Sequence, residues 1–182
     1  MNAPKLVPSG SQTVGPYFRI GLEHLVGKGP VKESALEAIE LHGKVLDRDG
    51  TPVPDALLEF WSADLNGIPN SNGHPAGFHR VATDLEGRFS FALNKPGATP
   101  MGDGRMQAPH MLVLVFARGL LRQLITRVYF DQDPVKTIDP VLLEVLAERR
   151  PTLIASSDAS DPRAYQWNVV LQGDNETVFF AW

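Results

Sequence analysis

Five histidines, His24, His42, His74, His79 and His110, are the side chains best suited to hold a metal or move a proton near neutral pH. Two ligands on one face of a strand sit at i and i+2, and no His-x-His pair occurs. His74 and His79 lie five apart across a loop, where they could converge with a further residue into a metal-dependent hydrolytic site. Cysteine is absent, which excludes a disulfide framework, thiolate catalysis and any Cys-ligated metal. There is no Gly-x-Ser-x-Gly elbow and no phosphate-cradling glycine loop. Gly102-Asp103-Gly104 reads as a turn. Taken alone, these residues form no self-contained catalytic constellation.

The elements that would position them read as all-β. The chain has 182 residues, with 16 Gly and 15 Pro falling between short apolar runs. That length fits one domain, or one domain with an extension. The net charge of -4 is too mild to argue for a nucleic acid or an anionic membrane surface. The longest unbroken apolar run, Met111 to Ala117, is far short of the ~20 residues of a spanning helix. The first ten residues, MNAPKLVPSG, hold no apolar stretch that would serve as a signal peptide, so a cytoplasmic location is expected.

Pro4, Pro8, Gly10, Gly15 and Pro16 predict an extended N-terminal arm turning at Gly15-Pro16. Its apolar Val14, Tyr17, Phe18, Ile20 and Leu22 suit an arm held against another surface. Residues 1–40 are thus read as an arm with a short helical turn near Ser34 to Glu40, packing on a partner, and 41–182 as the folded domain. Strands are expected at 42–46, 56–61, 78–83 (an edge), 88–93, 110–117, 122–130, 165–171 and 177–182. Residues 62–77 and 95–105 read as long loops. The 110–117 run is apolar enough for a strand covered on both faces. Asp139-Pro140 can cap and start a short helix with Leu142, Leu143, Val145 and Leu146 as its apolar side. The architecture expected is a β-sandwich with long loops, an N-terminal arm and one or two short helices.

Several segments, in this order and spacing, resemble the intradiol ring-cleaving dioxygenases. They are Ser11-Gln12-Thr13-Val14-Gly15-Pro16-Tyr17, Gly43 to Asp47 with Gly50 and Pro52, and Ala56 to Asp64 followed by Asn66-Gly67. Thr83-Asp84 with Gly87, Lys95-Pro96-Gly97, Ala108-Pro109-His110 and Phe116-Ala117-Arg118-Gly119 continue the match. Thr126 to Phe130 and Glu176 to Phe180 complete it, so that it spans nearly the whole chain.

The resemblance implies a ferric site of two Tyr and two His, because phenolate oxygens suit a hard trivalent cation. At the matching positions this chain carries Pro69, Thr99, His110 and Leu112, and its three tyrosines, Tyr17, Tyr129 and Tyr165, fall elsewhere. The arginine that stabilises substrate charge in iron-bearing chains is Gln107 here. What is implied is therefore the iron-free subunit of a two-chain enzyme, with Fe(III) held by a beta subunit and no metal ligand or catalytic residue in this chain. The implied substrates are protocatechuate (3,4-dihydroxybenzoate) and O₂, and the product 3-carboxy-cis,cis-muconate, on the β-ketoadipate route of aromatic breakdown. Arg118, Thr13, Gly15 and Pro16 match positions that wall the substrate pocket at the subunit interface. A non-enzymatic β-sandwich binding module remains the alternative, since such sandwiches serve many ends.

Overall fold

Buried and open positions alternate along Ala38–Leu46, and this segment forms β1, with Leu41 and Val45 pointing inward. A computed structural model describes residues 10, 12–26, 38–71, 74–75 and 77–181. The expected helical turn near 34–40 lies partly outside the described residues, and 38–40 open β1 instead. The remaining strands are β2 (Leu57–Ser62), β3 (Asn70–Ser71), β4 (His74–Pro75), β5 (Gly77–Ala82), β6 (Arg88–Asn94), β7 (Thr99–Pro100) and β8 (Met106–Gln107). They continue with β9 (His110–Phe116), β10 (Leu124–Phe130), β11 (Ile154–Ser157), β12 (Ala164–Gln166) and β13 (Val169–Val170). Among the described residues, five of the thirteen are two residues long; seven of the eight longer ones overlap expected strands, and β11 was not foreseen.

One sheet runs in the order β13-β1-β12-β11-β10-β9-β2-β5, with β6 also paired to β1. It folds over on itself, so that β1 and β6 face β2, β5, β9 and β10 across an apolar core. Leu41, Phe89 and Phe91 meet Leu58, Phe60, Val113 and Val128 there. Phe60 is the hinge of that packing, with its ring 4.7 Å from Phe91 and 6.5 Å from Trp167. The all-β sandwich expectation holds, and β5 is the edge strand foreseen.

Three expectations change. The arm does not run extended past Gly15: Gly15–Leu22 is a helix, α1. Proline is compatible with a first helical turn, where its missing N–H costs nothing. Gly15, at φ 64, makes the bend into it. The C-terminal 177–181 segment is not a strand; it meets the sheet at separate points, Thr177 N to Val170 O and Phe180 N to Ile125 O, and Trp182 lies outside the described residues. β9 buries only one face: Met111, Val113 and Val115 are covered, whereas Leu112, Leu114 and Phe116 are half-buried. The foreseen helix is present as α2 (Pro140–Glu144), with Asp139 accepting from the Val141 and Leu142 amides, and it ends before Val145. Among the described residues, no helix is long and apolar enough to cross a membrane.

His79 does not face the loop that would bring it toward His74. It is buried in the core 4.8 Å from the Phe91 ring, and its Nδ1 has no partner among the described residues. Burial pushes its pKa from 6.5 down to about 4. The unfolded chain therefore takes up a proton that the folded chain refuses. The stability that neutral His79 contributes is whole above pH 6.5 and is lost as the pH falls toward 4. His79→Phe should flatten the acid limb of the stability–pH curve by about 3 kcal/mol across that window. An unchanged limb in a pH series of thermal melts counts against this placement.

Candidate functional site

The four positions expected to match iron ligands, Pro69, Thr99, His110 and Leu112, lie on two loops and on β9. Asp64 Oδ1 accepts from the Asn66 and Ile68 amides at 2.8 and 2.9 Å, which shapes the Asn66-Gly67 turn. Gly67 sits at φ 78, and a Cβ there would lie 1.9 Å from the Ala98 carbonyl oxygen. The turn is thus pressed against the 97–99 backbone, and Gly97 N donates to Asp64 O at 2.8 Å. Thr99 in turn pairs with Gln107, next to the start of β9. His110 and Leu112 lie two apart on one face of that strand. The scaffold brings the loops of Pro69 and Thr99 toward β9, but the donor set there is one imidazole, one alcohol and two hydrocarbon side chains.

The neighbourhood of His110 is instead filled by protein hydrogen bonds. His110 Nδ1 lies 2.7 Å from the Ala108 carbonyl, and its ring centroid lies 5.5 Å from that of Tyr129. Tyr129 is fully buried and donates its hydroxyl to Asp139 Oδ1 at 3.1 Å. Arg127 Nη1 donates to Gln107 Oε1 at 2.7 Å and reaches the Tyr129 hydroxyl at 3.4 Å. Asp139, also fully buried, takes the Ala108 amide on its other oxygen at 2.7 Å while capping α2. Burial, with the Arg127 cation adding to it, lowers the His110 pKa to about 4. Burial also drives the Tyr129 phenol far above its ordinary value, so it stays protonated and does not offer a phenolate. This donor set does not fit ferric iron, which wants anionic oxygen. Among the described residues, no three His, Cys, Asp or Glu side chains converge.

The other predicted residues gather at the opposite end of β9. Thr13 Oγ1 accepts from the Gly119 amide at 2.9 Å, which ties the start of the arm to the turn after Arg118. Gly15 and Pro16 open α1, and Phe18 stacks 4.9 Å from Phe116, the last residue of β9. Arg118 Nη2 lies 3.6 Å from Asp55 Oδ2, and Arg19 Nη1 donates to Asp55 Oδ1 at 3.1 Å. The structure therefore brings Thr13, α1 and Arg118 together and adds Arg19 and Asp55, which sequence reasoning missed. β9 runs six residue steps from His110 to Phe116, about 20 Å, and Arg118 lies in the turn beyond it. The two groups cannot serve one small-molecule pocket on this chain. His24 is exposed and His42 half-buried, and neither joins either group.

A family profile described as Dioxygenase (Dioxygenase_C) matches residues 21–173. The chain is 40% identical over 191 residues to the protocatechuate 3,4-dioxygenase alpha chain of Burkholderia cepacia, covering 93% of this chain and 95% of that one. Its identity to the beta chain of the same organism is 31%, covering 92% and 77%. Its fold resembles the dioxygenase domain of a carbohydrate-binding fusion from Streptomyces sp. SirexAA-E, with a TM-score of 0.61 and 26% identity over 78% of this chain and 85% of that one. It also resembles 3-chlorocatechol 1,2-dioxygenase from Rhodococcus opacus 1CP, with a TM-score of 0.63 at 19% identity over 93% and 70%. With relatives of this kind along nearly its whole length, the chain belongs to the intradiol dioxygenase family.

Proposed function

We propose that this chain is the alpha-type subunit of a cytoplasmic protocatechuate 3,4-dioxygenase. It acts only in complex with a beta subunit that holds the Fe(III). The complex opens 3,4-dihydroxybenzoate with O₂ to 3-carboxy-cis,cis-muconate. The observation that carries this reading is the separation along β9: His110, the one candidate iron donor, lies at one end and the candidate substrate wall at the other, which fits a site completed by a neighbour. The 40% identity to an alpha chain supports the same assignment. No specific observation favours the binding-module alternative.

The work assigned to this chain is positioning. The substrate carries its carboxylate at the end of the ring away from the hydroxyls, so that end needs a cationic wall. Arg118 provides it, with a planar fork matched to a carboxylate. Thr13 uses a lone pair on the Gly119 amide, which leaves its O–H free to donate toward the ligand. Gly15 and Pro16 supply a close backbone surface. The half-exposed α1, with Tyr17 and Ile20 open on its outer side, packs with the rest of the arm on the beta subunit.

Two outcomes follow. The full chain expressed without a beta subunit and offered ferric iron should bind none stoichiometrically and stay colourless; a tyrosinate-coloured ferric species would overturn the assignment. In the assembled complex, Arg118→Ala should raise KM for protocatechuate roughly tenfold, as befits one lost charged hydrogen bond. KM for catechol, which lacks the carboxylate, should move far less. Equal losses on both substrates would mean that Arg118 serves assembly.

A further inference from the structure

Arg118 is a long, half-open side chain, 53% exposed, and such a side chain has many rotamers to choose from. A substrate wall needs one of them. Asp55 supplies the constraint. It stands two residues before β2 and adopts φ 61, the only described non-glycine residue in the left-handed region. Its two carboxylate oxygens are divided between two cations: Oδ1 takes Arg19 from α1 at 3.1 Å, and Oδ2 faces Arg118 at 3.6 Å. Thr13 holds the other flank of Arg118 through the Gly119 amide. The arm is thus fastened on both sides of Arg118, by Thr13 on the backbone and by Arg19 through Asp55. Two guanidiniums share one carboxylate, which leaves the cluster one anion short.

We infer that Asp55 is a positioning residue that aims Arg118 at the substrate carboxylate and couples that aim to the docking of α1. The inference rests on the reading of Arg118 given above. A charge-only role predicts the opposite sign: removing Asp55 would leave a more cationic wall and tighten carboxylate binding. Positioning predicts weaker binding despite the added positive charge.

Asp55→Asn separates the two, because Asn tolerates the left-handed backbone while losing the charge. In the assembled complex it should raise the ratio of KM for protocatechuate to KM for catechol roughly two- to fivefold, the scale of one partly exposed ion pair. The protocatechuate kcat should change less than KM. Asp55→Gly, which keeps the backbone unstrained and removes the whole side chain, should match it. In an Arg118→Ala background, Asp55→Asn should add nothing to that ratio. A lowered ratio, or an Asp55→Asn effect that persists in full without Arg118, overturns the inference. Failure of the underlying reading has a different signature, an Arg118→Ala variant with no preference between the two substrates.

Discussion

Strand β9 is held on both edges along its length, by β2 from Leu57↔Phe116 to Ser62↔Met111 and by β10 from Leu124↔Val115 to Tyr129↔His110. A strand in that position cannot slide or bend without breaking two ladders. Its inward residues Met111, Val113 and Val115 are fully buried, which fixes the register as well, because a slip of one residue would turn them all outward. Both groups of candidate site residues are attached to this rod. His110 stands at one end, surrounded by Gln107, Arg127, Tyr129 and Asp139. Arg118 follows the other end, fastened by Thr13, Arg19 and Asp55. The division of labour proposed for the two-chain enzyme is a consequence of the rod's length and stiffness.

Much of the sandwich was legible because its strands alternate. The 88–94 segment shows the period of two that packing against one core demands, whereas 110–116 was legible as a continuous apolar run although it buries only one face. What sequence missed has identifiable causes. Gly15-Pro16 reads as a helix breaker out of context, yet both residues are at home in a first turn. The tail carries strand-forming residues, but the β10 edge it approaches is already taken at Tyr129 and Phe130 by β11. The tail therefore bonds at Ile125 and through Thr126 Oγ1 to Val178 O, without a ladder. Both faces of β10 are buried in its second half, because α2 and the tail build a second apolar cluster over Tyr129. No local pattern in β10 signals a cover that arrives from residues so far along the chain.

The site was legible only in part, for a related reason. Arg118 and Thr13 stand in recognisable segments, and the absent phenolates could be read by position. Asp55 and Arg19 belong to no motif; they are 36 residues apart and become partners only after α1 has docked. The buried network around His110 was equally hidden. Asp139 looked like a helix cap and is one, but its second oxygen also holds the Ala108 amide, and its first also takes the Tyr129 hydroxyl. One residue does two structural jobs, and sequence periodicity reports only the nearer.

That network also ties together the segments that carry the four positions expected to match iron ligands. Two His and two phenolates bound to a cation would cross-link β9 to the loops that carry Pro69 and Thr99. In this chain the cross-links are made by neutral and ionic hydrogen bonds: Gly97 to Asp64, Arg127 to Gln107, Tyr129 to Asp139. Each is modest, but all lie in a partly dry region where leaving one group unpaired would cost more than the bond itself contributes. Restoring a single ligand, for instance a histidine at Leu112, would add one donor to a set that still lacks both phenolates. It would also place an imidazole against β2 and β10 neighbours, Trp61 and Arg127, that now face a leucine. A ferric site on this chain would therefore need several substitutions at once, while the fold is free to keep the architecture of its family and serve the positioning role proposed above.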